Sequence, residues 1–126
     1  MMFDLAPEEA RLLLKIAMMA IGRNRFGSAA RILAVLERFR PSEPSIAAAK
    51  ALALISALKF AEAVEFIDRE GLVKFPGSAM LQAFKGMAYV RLQRPQDARE
   101  PLELAVRGDD PAAARLAGDL LADLGR

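Results

Sequence analysis

The side chains that most often do chemistry near neutral pH are missing: the chain of 126 residues has no His and no Cys. That removes the commonest general base, the commonest metal ligand, every thiolate zinc site and every disulfide. The remaining ionisable residues come in small groups. Asp109 and Asp110 stand directly before Pro111, where an Asp serves to cap a helix and the Pro fills its first position. Glu62 with Glu65, and Asp119 with Asp123, fall on helix faces expected to be solvated, with nothing nearby to raise a carboxyl pKa for acid–base work. No Gly-rich phosphate-binding loop is present. Arg23 with Arg25, Arg38 with Arg40, and Arg91 with Arg94 make local basic groups, but the net charge is only +2 and no aromatic residues alternate with them to stack bases. The sequence therefore predicts no enzyme activity, no metal, no cofactor and no nucleic-acid partner.

What the sequence does specify is helix. Apolar residues make up 54% and charged residues 27% of the chain, which excludes a disordered segment. The apolar share is mostly Ala, Leu and Met, which favour helix over strand. The apolar run over residues 12–21 is too short to span a bilayer and is broken by Lys15. Acidic residues precede it where a secretory signal has basic ones, so a cytoplasmic location is expected.

Punctuation divides the chain into seven helices. The first runs over about 7–21, opened by Pro7 with Glu8 and Glu9 at its positive end. The second covers 25–39 and stops before Pro41. Ser42 or Ser45 is expected to cap the third, with Pro44 in its first turn. The fourth is expected over 60–70, ended by Gly71 as a left-handed stop. Ser78 caps a fifth that reaches about residue 92, and Pro95 opens a sixth that Gly108 closes. Pro101 lies inside the sixth and should remove a backbone hydrogen bond or kink it. Asp110 caps the seventh, whose Ala113, Leu116, Ala117, Leu120, Leu121 and Leu124 form one apolar stripe.

The chain also repeats itself. Phe26 and Ala29 recur 34 residues later as Phe60 and Ala63, Ala63 recurs 35 residues on as Ala98, and Pro41 recurs as Pro76 and Pro111. Such a period belongs to stacked helical hairpins. Aligned on it, the first unit gives Ala17, Ala20, Phe26, Ala29, Leu33 and Pro41. The second gives Ala51, Leu54, Phe60, Ala63, Ile67 and Pro76, and the third Gly86, Tyr89, Pro95, Ala98, Leu102 and Pro111. Over about residues 10–111 this pattern resembles the tetratricopeptide repeat. It departs from that motif in lacking its Trp and its turn Gly, and in placing Pro95 where an aromatic is usual.

The resemblance implies an all-α domain over residues 1–126. Three hairpins, at about 7–41, 42–76 and 77–110, would stack in a right-handed superhelix closed by a capping helix at about 111–124. It also implies a concave face lined by the first helix of each hairpin, here Leu14, Met18 and Ile21, then Ala48, Leu52 and Ile55, then Met80, Ala83, Met87 and Val90. Nearly all are apolar and three are Met, whose thioether adapts to varied surfaces. Such a groove suits an amphipathic helix of another protein rather than a charged peptide terminus. The chain's own N-terminal segment and a second copy of the chain are the other candidate occupants. In size, repeat number and groove chemistry the chain resembles the small tetratricopeptide chaperones of bacterial type III secretion, in which the concave face holds a needle-forming subunit, with or without a co-chaperone. A structural adaptor that forms a stable intracellular complex or homodimer is the alternative that the same groove allows.

Overall fold

The computed structural model describes residues 5–125. Seven helices follow one another: α1 (Pro7–Gly22), α2 (Phe26–Phe39), α3 (Pro44–Ser56), α4 (60–74), α5 (Ala79–Arg91), α6 (Pro95–Val106) and α7 (Pro111–Leu124). There is no strand among the described residues. The pairs α1–α2, α3–α4 and α5–α6 form antiparallel hairpins, and α7 packs on both α5 and α6. The odd-numbered helices lie side by side along the stack, each touching the next.

The repeated small and large residues explain this packing. Ala17, Ala51 and Gly86 are buried in the odd helices, and Ala29, Ala63 and Ala98 in the even ones. Leu33, Ile67 and Leu102, one turn past those alanines, are fully buried. A small residue on one helix thus receives the large side chain of its hairpin partner, which lets the axes approach closely. The approach is tightest in the third unit. A Cβ added at Gly86 would stand 2.4 Å from both Cγ and Cδ2 of Leu102.

The three hairpin turns are copies of one another. Arg25, Lys59 and Arg94 donate their backbone N–H groups to the carbonyls of Ala20, Leu54 and Tyr89 at 2.8, 2.8 and 2.9 Å. Each turn places the preceding residue in the left-handed region, at φ 60° for Asn24, 64° for Leu58 and 60° for Gln93. This is the Schellman ending of a helix, which favours Gly and tolerates Asn. The missing turn glycines of the repeat are therefore positions of backbone strain, above all at Leu58.

Caps match the sequence at two helices. Leu81 donates its N–H to Ser78 Oγ at 3.2 Å, and Ala112 and Ala113 donate to Asp110 Oδ1 at 3.0 and 3.3 Å. At α3 the expected Ser cap is not formed. Glu43 holds the cap position without a side-chain bond, and Pro44 alone sets the first turn. The expected end of α4 at Gly71 is also corrected. Gly71 has a right-handed φ of −60°, and the helix continues through Leu72–Lys74. The segment Ile67–Gly71 is a π turn, in which the Leu72 N–H reaches back to the Ile67 carbonyl. This wide turn absorbs the one extra residue that separates Phe60 from Pro76 compared with Phe26 from Pro41. Gly71 is needed there for space rather than for its φ, since an added Cβ would press on Leu81 Cδ1 at 3.0 Å. Pro101 is buried within α6, and the helix runs through it to Val106.

Two substitutions test this account in opposite directions. Leu58→Gly relieves the left-handed strain at an exposed side chain and should stabilise the fold by about 0.5–1 kcal/mol, after the entropy cost of glycine. Gly86→Ala forces a methyl group into Leu102 and should destabilise by about 1–2 kcal/mol, despite the better helix propensity of Ala. Thermal melting of the two variants against the parent chain reads both signs.

Candidate functional site

The concave side of the stack is built by three parallel helices. Leu14 and Met18 come from α1, Ala48 and Leu52 from α3, and Met80 and Phe84 from α5, and together they line one open depression of about 430 Å³. One face of each helix supplies these residues at steps of four, so the groove runs across the hairpins rather than along any one helix. Ser45, Ser78 and Asp110 sit at one end of it, where α3, α5 and α7 begin. No Lys, Arg, Asn or Gln is among the lining residues. The surface is apolar along its length, with an acid and two hydroxyls at one rim.

Of the ten residues expected to form this surface, Leu14, Met18, Ala48, Leu52 and Met80 line the depression. Three others are corrected. Ile21 is 5% exposed and packs with Ala20, Ala29 and Ala53 between α1, α2 and α3. Ile55, also 5% exposed, lies in the core with Ala51, Phe84 and Ala88. Ala83 is fully buried with Ala98, Leu102 and Ala113. The reason is common to all three. Each odd helix is flanked on two sides, so the stripe left for the groove is narrower than the apolar stripe of a surface helix. Residues one step to either side of it belong to neighbouring helices. Met87 and Val90 are half-buried, against the cores of the second and third hairpins respectively, and do not line the depression.

Sequence reasoning missed Phe84. It is 8% exposed, yet it forms part of the groove floor while its other side packs in the core. Its signal was available: Met80 and Phe84 are one turn apart, and both precede the small Ala88. Apart from Asp110, the charged groups lie elsewhere. Lys50 pairs with Glu37 and Lys85 with Asp68, each at 2.7 Å, tying odd helices to the even layer. Arg91 and Arg94 stack on Phe60 and Tyr89 at 5.0 Å. Among the described residues no buried side-chain polar atom lacks a partner, and no three acidic residues converge as a metal site.

The architecture can now be compared with known proteins. No family model and no curated protein matches the sequence. Among solved structures, the tetratricopeptide-repeat domain of Sgt2 from Aspergillus fumigatus matches with a TM-score of 0.73 over 97% of this chain and 82% of that one, at 17% identity. The fold is the tetratricopeptide-repeat fold. Its hairpins stack as a right-handed superhelix with α7 closing one end, as the period of 34–35 residues implies. No helix among the described residues is long and apolar enough to cross a membrane. Residues 1–4, the N-terminal segment considered above as an occupant of the groove, lie outside the described residues.

Leu52 and Ile55 are less than one turn apart on α3 and separate groove from core. Ile55→Glu buries an unpaired carboxylate and should cost more than about 3 kcal/mol, enough to unfold much of the population. Leu52→Glu can turn its carboxylate into the open groove and should cost less than about 1.5 kcal/mol. Circular dichroism melts of the two single variants distinguish them.

Proposed function

We propose that the protein binds an amphipathic helix of another protein in the concave groove. The observation that carries this reading is the continuity of Leu14, Met18, Leu52, Met80 and Phe84 across three hairpins in one open depression. A surface of that kind is costly to leave in water. Its passage across α1, α3 and α5 suits a helix that presents apolar residues at i, i+3, i+4 and i+7. The absence of Lys, Arg and Asn from its lining argues against recognition of a free C-terminal carboxylate. Two methionines, Met18 and Met80, give the groove side chains that repack around different apolar partners. The similarity to the Sgt2 domain is one of fold and says nothing of the partner.

The finer reading is a small cytoplasmic chaperone. Its client helix would be kept in the groove until released, as in the chaperones of type III secretion needle subunits. Size, three hairpins and an apolar groove support that reading. A stable adaptor complex uses the same surface, and behaviour of the released partner separates the two. A client of a chaperone aggregates or polymerises when freed, whereas an adaptor's partner stays in solution.

Leu52→Glu tests the common element. It sets a charge in the middle of the contact and should reduce partner affinity at least a hundredfold. The measurement is a titration of the partner recovered with the tagged protein from its own host, together with photo-crosslinking from positions 18 and 80 to locate the bound segment. Normal binding by a folded Leu52→Glu variant would remove the groove from the function. Crosslinks to a segment that is not helical would remove the amphipathic helix.

A further inference from the structure

The first hairpin has a second apolar surface, on the side turned away from α3 and separate from the groove. Leu12, Ile16 and Met19 of α1 and Val35 and Phe39 of α2 stand on it, between 37% and 59% exposed. The opposite end of the stack is different. There α7 turns Arg115, Asp119 and Asp123 to solvent. A stack of hairpins is covered by polar outer faces at its ends; among the described residues the C-terminal end is of that kind, and the outer face of the first hairpin exposes the five apolar side chains just named. The face of α7 that carries Arg115, Asp119 and Asp123 thus offers the apolar face no apolar complement. The same face of a second copy would be such a complement, and that contact would close after two subunits.

The stripe along α1, extended to its C-cap residue Arg23, is matched to itself. It reads Glu8, Leu12, Lys15 with Ile16, Met19 and Arg23, with an acid at one end, a base at the other and apolar residues between. The spacing is symmetric about its middle. Two such helices laid antiparallel bring Glu8 opposite Arg23 of the second copy, Leu12 opposite Met19, and the Lys15 stem along Ile16. Each pairing occurs twice by symmetry. A parallel arrangement would instead place Glu8 on Glu8 and Arg23 on Arg23. Glu8, Lys15 and Arg23 are exposed and form no salt bridge with another described residue. Two helices of this length side by side offer a footprint of roughly 450 Å², against about 800 Å² per partner in a standard interface.

We propose that the outer face of the first hairpin is a two-fold interface between copies of this chain, with α1 antiparallel to α1. The small footprint makes the dimer weak and concentration-dependent. It leaves the groove open, so it goes beyond the binding of a partner helix and does not depend on it.

Sedimentation of the full chain from low micromolar to millimolar concentration should show a monomer–dimer equilibrium. Ile16→Glu should raise the dissociation constant more than about tenfold, with an unchanged melting temperature because the side chain is exposed in the monomer. Glu8→Arg and Arg23→Glu should each weaken the dimer by about two- to fivefold, and the double variant should restore it, which a merely destabilised helix would not do. Leu52→Glu, in the groove, should leave dimerisation unchanged. A chain that stays monomeric throughout overturns the proposal and leaves the face to residues 1–4 or to a different protein. A dimer indifferent to Ile16→Glu places the interface elsewhere, and a double charge reversal no better than either single one overturns the antiparallel pairing.

Discussion

The structure depends on one contact made three times: a small residue on the first helix of each hairpin against a large one on the second. Ala17 with Leu33, Ala51 with Ile67 and Gly86 with Leu102 are all buried. Because the small partner has almost no side chain, the large one fills the space between two helix axes instead of holding them apart. The same close approach leaves the odd helices shoulder to shoulder, and it is their remaining narrow stripe that becomes the groove. The site is thus a by-product of packing rather than an addition to it. Enlarging the small residue would disturb the core and the groove together.

The second constraint is length. The hairpins keep a common turn, yet the chain from Phe60 to Pro76 and from Pro95 to Pro111 has one more residue than that from Phe26 to Pro41. The second unit spends it in the π turn at Ile67–Gly71, whereas in the third α6 is the shortest even helix, at 12 residues, and Pro111 opens α7 instead of standing in the loop before it. The loops that join the hairpins, 40–43, 75–78 and 107–110, keep one length of four residues. The three left-handed residues, Asn24, Leu58 and Gln93, show how firmly the turn geometry is imposed. It holds even where leucine, a poor residue for that conformation, occupies the position.

The two apolar surfaces differ in kind. The groove is an open depression shared by three hairpins and floored by a nearly buried Phe84. The outer face of the first hairpin belongs to two helices and carries its own flanking charges.

By itself the sequence determined the helices, the repeat and the core. The 34–35-residue period and the positions of Ala29, Ala63, Ala98, Leu33, Ile67 and Leu102 were legible because each is a local choice repeated three times, and repetition exposes the register. Ser78 and Asp110 were legible as caps because a cap is a contact within one turn. Only the tertiary structure decided which apolar residues face outward. Ile21, Ile55 and Ala83 sit on the same helices and in the same composition as Met18, Leu52 and Met80, and no local signal divides them. The division is made by the helix that packs alongside, tens of residues away in the chain. The same holds for Gly71, which reads as a helix stop in sequence. It proves to be a helix interior, because Leu81 from the next hairpin needs the space a Cβ would take.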